Sequence, residues 1–501
     1  FGARAFAYTA PSGYKALCTS NLPEPTIADG SKYFDTKLYT GNGGTQSISS
    51  LAFQPDFVWL KGRSQTNVSH QLYDSVRGTS KMLQSDNNTV ESTVSGVSAF
   101  NSNGFTLGSN GGSNNSGSTY VSWAWDAGSS NTTIAVGGLN SSSYDQSQTW
   151  STYGTASGTA FSPAITELFD NDINSGPSIP ANNTATWTFT SGITASNSIE
   201  INCVNGSGPS GTQNSNAEIR LTVSGTTHSI NGAPGWIDTG LSGSLTAVTI
   251  YVPSGSGSSG LRAIKVDGKE LVDSGVTVTN VPSIASTVRA NPSAGFSIVT
   301  ATASSAGDTI GHGLNASPSL IIAKRTNATS HWPVYHSSVG ANGFTYLNLT
   351  NAAGTGSNFW NNVTPTSSVF TVGSDSAVSG GSAVFYCFAP IEGYSAAFSW
   401  SGNGTDNGSF IYLGFRPKFV IMKDINASNN WQMLDATRDP YNVTVARLFP
   451  NQAVTENSAT SNFDFLSNGL KARNQYTTSL ANTNFIGFAF AEHPFKTARA
   501  R

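Results

Sequence analysis

The chain repeats itself, and that constrains it more than any single motif, because self-similarity at a fixed period means one small fold used several times. Phe53-Gln-Pro-Asp-Phe-Val-Trp-Leu-Lys61 returns as Phe415-Arg-Pro-Lys-Phe-Val-Ile-Met-Lys423, and a shorter copy, Ser317-Pro-Ser-Leu-Ile-Ile-Ala-Lys324, lies between them. In all three a proline stands six residues before a lysine: Pro55 and Lys61, Pro318 and Lys324, Pro417 and Lys423. The apolar, β-favouring run between them reads as a buried strand. The proline sits at the strand's start, where no ladder donor is needed. The flanks recur as well. Tyr39-Thr-Gly-Asn-Gly43 matches Trp400-Ser-Gly-Asn-Gly404, and both carry the Asn-Gly turn signal. Leu72-Tyr-Asp-Ser-Val-Arg77 matches Met433-Leu-Asp-Ala-Thr-Arg438, with Val334-Tyr-His-Ser-Ser338 as a weaker copy. Asn101-Ser-Asn-Gly-Phe105 matches Leu466-Ser-Asn-Gly-Leu470, and each unit closes on an aromatic strand, Tyr120–Trp125, Val384–Ala389 or Phe485–Phe490.

The spacing of the copies exposes an insertion. Pro318 and Pro417 are 99 residues apart, Pro55 and Pro318 are 263, and the excess of 164 residues is the size of a further domain. We therefore expect an all-β chain of several jelly-roll-like β-sandwiches in series. Three related repeats are expected at 33–128, 293–394 and 395–495. An inserted sandwich is expected at 129–282, a linker with Pro292 at 283–292, a lead-in at 1–32 and a tail at 496–501. Within the insertion, Ala185–Phe189, Ser198–Val204, Ile219–Val223, Leu245–Val252 and Leu261–Val266 are short strand candidates between Gly/Ser-rich turns, the spacing of a sandwich. Asp267-Gly268 marks a hairpin.

Composition narrows the function. Only 11% of residues are charged and the formal net charge is −3, which leaves no basic surface for nucleic acid. Ser, Thr, Asn and Gly replace the usual Lys and Glu, a bias toward turns and pleated surfaces. No run approaches the ~18 apolar residues of a membrane span. Cys18, Cys203 and Cys387 are too few and too scattered for a disulfide framework or a zinc site and read as small core residues. The chain opens on Phe1, not Met, so we expect either a removed N-terminus or a piece of a longer polypeptide.

The ordered set of Tyr-Thr-Gly-Asn-Gly, Phe-x-Pro-x-Phe-Val-x-x-Lys, Asp-x-x-Arg and Ser-Asn-Gly-Phe resembles a repeat of tailed-phage virion fibre proteins, especially those of marine cyanophages. Phe1-Gly-Ala-Arg-Ala-Phe-Ala-Tyr8 and Gly13-Tyr-Lys-Ala-Leu17 resemble the end of a SPRY-like sandwich that precedes such repeats. Leu168-Phe-Asp170 and Ile264–Asp273 resemble inserted galactose-binding-like jelly rolls. The resemblance implies a virion protein, usually a homotrimer. It would assemble with other virion proteins and contact a host-cell-surface glycan, without nucleic acid and without membrane insertion. The second repeat departs from the pattern, with His336 and Val339 where the others have Asp and Arg.

Candidate chemistry is sparse. Catalysis needs convergent titratable groups. The six histidines have no ligand-like spacing, and the loose Gly-x-Ser-x-Gly matches near Gly206–Gly211 and Gly255–Gly260 are expected in so Gly/Ser-rich a chain. No enzyme activity is expected. Asp74/Arg77 and Asp435/Arg438 recur at one place and read as structural pairs pinning a loop, the alternative being a ligand clamp. Asp170, Asp172 and Asn174 present oxygens at alternate loop positions, a candidate structural calcium site, or else an Asx-turn loop with no metal. No cofactor is required. Tyr144, Trp150, Tyr153 and Trp236 are candidate rings of a sugar platform, the alternative being core residues. The leading expectation is a non-enzymatic virion fibre or spike contacting the host surface. The alternatives are a capsid- or tail-attached decoration protein without a receptor role, and a secreted carbohydrate-binding adhesin or glycan hydrolase.

Overall fold

The computed structural model describes residues 26–137, 144–205, 218–230, 235–254, 259–274, 276, 281–458, 460 and 462–492. The SPRY-like segment before residue 26, Cys18, the 206–211 motif, His493 and the 496–501 tail lie outside the described residues. The chain is all-β. Among the described residues α-helix is confined to two single turns, Gly111–Asn114 and Ser376–Ser379. It divides into two compact units, one running to Thr133 and resuming at Ile284, the other Ile134–Ser283.

In the first unit each repeat is a two-sheet sandwich built to one plan. An opening strand pairs with the closing aromatic strand, which pairs with the lysine strand, which pairs with a short fourth strand. In repeat 1 these are Phe34–Thr40, Thr119–Trp125, Phe57–Gly62 and Gln71–Asp74. In repeat 2 they are Phe296–Ala303, Gly381–Phe388, Leu320–Arg325 and Pro333–His336. In repeat 3 they are Ser395–Ser401, Asn484–Ala491, Pro417–Asp424 and Gln432–Asp435. A smaller outer sheet covers one face of each: Gln46–Ile48, Gly104–Leu107 and Val97–Asn101 in repeat 1, Thr309–Gly311 and Val369–Thr371 in repeat 2, and Phe410–Tyr412, Gly469–Ala472 and Phe463–Leu466 in repeat 3. Lys61, Lys324 and Lys423 occupy the same strand position, so the proline-to-lysine spacing reports a true structural equivalence.

The inner strands are apolar throughout because both of their faces are buried. In Phe57–Gly62, Val58 and Leu60 face the repeat's own core with Phe105 and Leu107. Phe57 and Trp59 face away from it, into a second core that all three repeats share. Equivalent residues meet there: Phe57 with Leu320 and Phe419, Trp59 with Ile322 and Ile421, Trp125 with Phe388 and Phe490. They enclose an apolar void of about 20 Å³. The backbone closes the same ring. Glu91 N–H donates to Thr326 O (3.2 Å), Ala353 N–H to Ile425 O (3.0 Å), and Glu456 N–H to Arg63 O (3.0 Å). Each acceptor lies two residues after a repeat lysine, so repeat 1 binds repeat 2, 2 binds 3, and 3 binds 1. The repeats, expected as separate domains in series, form one compact unit because half of each inner sheet is buried only by its neighbours.

The second unit is a sandwich of its own. One sheet runs Tyr144–Asp145, Lys269–Leu271, Ser259–Val266, Ile199–Asn205, Gly235–Asp238, and the other Gly154–Gly158, Asn183–Ala195, Gly243–Val252, Glu218–Val223, Thr226–Ile230. Glu218–Val223 alternates half-buried and buried positions, and Trp187, Phe189, Ile201, Leu221, Ile250 and Ile264 form the filling. The Asp267-Gly268 hairpin is present, with both residues at positive φ (50° and 78°). The 283–292 stretch, expected as a linker, carries the strand Ser286–Asn291, paired to Phe296–Ala303. Its other neighbour is Thr132–Ile134, so the chain leaves the first unit and returns to it on adjacent strands.

Candidate functional sites

The recurring acid–base pairs are joints of the ring. Asp74 Oδ1 accepts from the Val76 and Arg77 amides (3.1 and 2.8 Å), and Arg77 Nε donates to Asp74 Oδ2 (2.5 Å). Arg77 then reaches Glu91 (2.9 Å) and the Leu72 carbonyl (3.2 Å). Repeat 3 copies each contact: the Thr437 and Arg438 amides donate to Asp435 Oδ1 (3.1 and 2.8 Å), Arg438 Nε to Asp435 Oδ2 (2.6 Å), and the guanidinium to Glu456 (3.1 Å) and Met433 O (3.0 Å). Both carboxylates are also reached from the next repeat's closing strand. Tyr386 Oη donates to Asp74 Oδ2 (2.8 Å), and Trp123 Nε1 donates to Asp435 Oδ2 (3.1 Å). All four side chains of the two pairs are 0–5% exposed; Arg77 borders an open cavity of about 490 Å³ between Ser286–Thr287 and Thr300–Thr302, with its guanidinium already engaged by Asp74 and Glu91.

Repeat 2 breaks the pattern for a reason visible only across the ring. The position equivalent to Tyr386 and Trp123 in the strand that faces it is Phe488, which has no polar donor. A buried carboxylate there would go short of one hydrogen bond, at a cost of roughly 1.5–3 kcal/mol. His336 stands in its place, its Nε2 against Gly487 O (3.1 Å) and its Nδ1 accepting from the Ser338 amide (3.1 Å). With no carboxylate, no arginine is called for, and Val339 packs on the shared core. Tyr386, Trp123, Glu91 and Glu456 escaped the sequence reading. Aligning the three closing strands would have shown Tyr, Trp and Phe at one position.

The repeat lysines do the same kind of work. Each is fully buried, and its ammonium donates to carbonyls of the loop ahead: Lys61 to Val68 O (2.8 Å), Lys324 to Ser330 O (2.6 Å), Lys423 to Asn429 O (2.9 Å). Lys324 also donates to Asn88 O (3.2 Å) of repeat 1, and Lys423 to Thr350 O (3.0 Å) of repeat 2. Burial pulls all three ammonium groups down to about 8, so they are cations at neutral pH.

In the inserted sandwich the expected sites come out differently. The 170–175 loop is a run of Asx turns: Asp170 Oδ1 accepts from the Asp172 amide (2.8 Å), Asp170 Oδ2 from Ser175 Oγ (3.1 Å), and Asp172 Oδ1 from the Asn174 amide (2.9 Å). These carboxylates are directed at local N–H and O–H groups. No group of three His, Cys, Asp or Glu among the described residues could hold a metal ion. The four rings do not form a platform. Trp150 is core, with its Nε1 donating to Asp145 O (2.8 Å) and its ring edge-on to Tyr153 and Phe189. Tyr153 is half-buried, its hydroxyl paired with Ser191 Oγ (2.6 Å). Tyr144 and Trp236 lie on opposite edge strands of one five-strand run, roughly 19 Å apart at ~4.8 Å per strand. The Lys265 ammonium sits 3.6 Å over the Trp236 ring and occupies one of its faces. Cys203 and Cys387 are buried free thiols.

A family described as "Domain of unknown function (DUF7483)" matches residues 29–230 and 270–494. No curated protein matches the chain. Among solved structures, one similar chain is a mutant of the mycobacterial arabinofuranosyltransferase AftD seen by single-particle cryo-EM, at 10% identity and a TM-score of 0.19, covering 68% of this chain and 35% of that one. A likeness of that size says nothing about this chain's activity.

Proposed function

The chain belongs to the DUF7483 family, and from that premise we propose that it is a non-enzymatic virion fibre or spike protein of a tailed phage, presenting β-sandwiches for contact with a host-surface glycan. The observation that carries this reading is how the recurring chemistry is used. The lysine after the proline is buried in every repeat and in two of them reaches the neighbouring repeat, and the Asp-x-x-Arg pairs are buried in the joints, so the repeated sequence builds a scaffold. What faces solvent is mainly Ser, Thr, Asn, Gly and exposed tyrosines, the side chains of adaptable hydrogen bonding and rigid ring area. The resemblance of the repeat motifs to virion fibres supports the same reading. Homotrimerisation is part of the proposal. It runs through surfaces other than the aromatic strands, which the ring already covers.

With charged residues at 11% and a net charge of −3, contacts are short-ranged, individually weak, and multiplied by avidity of about 10²–10⁴ on oligomerisation. The test is adsorption of the purified chain to cells of the phage's host at low and high ionic strength, with immunogold localisation on the particle. Salt-insensitive adsorption and label at a fibre tip support the proposal. Label on the particle with no adsorption favours a decoration protein, and no label at all overturns the virion reading. Depolymerisation of a host polysaccharide by the chain would make it a hydrolase.

A further inference from the structure

The repeats act as internal controls for one another, and they isolate a surface that belongs to repeat 3 alone. In the outer sheets, Ile48, Ile310 and Ile411 are equivalent. Each is buried, and they pair with Phe105, Phe370 and Leu470. The positions on either side of that isoleucine are Ser47 and Ser49, both exposed, in repeat 1, and Thr309, half-buried, and Gly311, buried, in repeat 2. The backbone confirms the alignment: a Cβ on Gly104 would meet Ile48 O and Ser49 Cα, and one on Gly469 would meet Ile411 O and Tyr412 Cα. In repeat 3 the same two positions are Phe410 and Tyr412, 48% and 67% exposed. The scaffold does not require rings here, since two of its three copies fold without them.

The rest of this face is equally particular. Phe410 stands opposite Lys471, which stands opposite Asp464, where repeat 1 has Ser47, Thr106 and Ala99. Lys471 Nζ donates to Gly408 O (2.5 Å), and Arg473 Nε to Asp464 Oδ2 (2.6 Å), so the polar groups are held in place. Two further rings stand on loops tied to this sheet. Tyr441, 79% exposed, precedes Asn442, whose amide exchanges two hydrogen bonds with the Phe465 backbone (3.1 and 2.8 Å). Tyr476, 72% exposed, follows Gln475, whose amide donates to Asp406 in the turn leading to Phe410 (2.8 Å).

We propose that the outer face of repeat 3, centred on Phe410 and Tyr412, is a glycan-binding platform. This rests on the fibre reading above and places its glycan contact on repeat 3, rather than on the candidate rings Tyr144, Trp150, Tyr153 and Trp236 of the inserted sandwich. A sugar offers apolar C–H faces and a rim of hydroxyls. Rings at i and i+2 on one strand face, roughly 7 Å apart, offer π faces to the former. Lys471, Asp464 and Arg473 offer donors and acceptors to the latter. A protein partner fits worse. A stable interface needs ~800 Å² a side with few charges at its middle, and here the middle of the sheet is a lysine beside an ion pair.

The test is the full-length variant Phe410→Ser/Tyr412→Ser, which installs repeat 1's residues at positions where repeat 1 already folds. Its thermal melt is the control. Wild type and variant are compared on an array of cello-, malto-, manno- and chito-oligosaccharides, and by saturation-transfer NMR with any sugar bound. The expected result is binding of at least one class by wild type and a loss of about tenfold or more in the variant. No sugar bound by wild type, or equal binding by the variant, overturns the proposal. So does a wild-type dimer that the variant abolishes, which would assign the face to a second copy. Host-cell adsorption that survives the variant overturns this site and leaves the fibre reading intact. Sugar binding lost in the variant, with no adsorption by wild type, supports the site and fails the fibre reading.

Discussion

A buried carboxylate is kept only where every neighbour agrees to it. Asp74 has its own arginine and a tyrosine from the next repeat, Asp435 its own arginine and a tryptophan, and His336 stands where the facing residue is Phe488. This makes the joints coupled. Tyr386→Phe should cost roughly 1.5–3 kcal/mol in urea unfolding, as loss of a hydrogen bond to a charged group. In a chain carrying Asp74→His and Arg77→Val, the repeat 2 pair, the same change should be nearly neutral. Additive costs in that double-mutant cycle would refute the coupling. Acid should act through the buried histidines. Burial pulls His312 and His336 down to about 4 and holds His70 well below its ordinary value. Unfolded histidine protonates near pH ~6.5. Between that value and about 4 the unfolded state binds more protons, and stability falls as pH falls. Each of the two rings is worth roughly 3 kcal/mol across the interval. Asp56, pushed up to about 6 by burial, acts in the opposite sense over the lower part of that range and returns some of the loss. The urea midpoint should drop steadily from pH ~7 to ~4.5, and His336→Gln should shallow the slope. A flat profile would mean these rings are not held neutral.

At the scale of the element, the lysine strand is the unit that organises each repeat. Alternate positions serve two cores: Val58 and Leu60 in repeat 1 and Val420 and Met422 in repeat 3 face the repeat's own core, whereas Phe57 and Trp59, Leu320 and Ile322, and Phe419 and Ile421 face the ring; the lysine gathers the loop ahead. Lys423 is the most heavily used, since Asp424, Ala427, Asn429 and Thr350 all offer it carbonyls. Lys423→Met keeps the volume and the stem but leaves those carbonyls without their donor, at roughly 2–4 kcal/mol. The loop at 424–430 and the Thr350 segment should lose hydrogen-exchange protection together, because one ammonium serves both. Protection lost at one and kept at the other would argue that the lysine is not the link.

At the scale of the molecule, one chain achieves the threefold closure that homotrimers reach with three. The inserted unit departs from and returns to adjacent strands, which is where insertions are tolerated. Deleting 134–283 and joining Thr133 to Ile284 through a short Gly/Ser turn should leave a folded ring with a single cooperative calorimetric transition. Aggregation or a broad, non-cooperative melt of that variant would show that the ring depends on the insertion.

Much of this was open to reading in the amino-acid order itself. Strand content, the proline-to-lysine register, the Asp267-Gly268 hairpin and the presence of an inserted sandwich depend on local pattern and on self-similarity, which survive without any knowledge of neighbours. The structural reading of Asp74/Arg77 and Asp435/Arg438 was within reach for the same reason, since a scaffold repeats what it needs. What only the tertiary structure decided is which surfaces meet. An unbroken apolar strand is buried on both faces, but nothing in Phe57–Gly62 says that its second face is covered by two other copies of the same strand. Trp150, in Gln148-Thr149-Trp150-Ser151-Thr152, and Tyr476, in Asn474-Gln475-Tyr476-Thr477-Thr478, are both aromatic residues between polar neighbours. One is filling and the other is surface, because burial is set by the strands that arrive from far along the chain and not by the residues on either side.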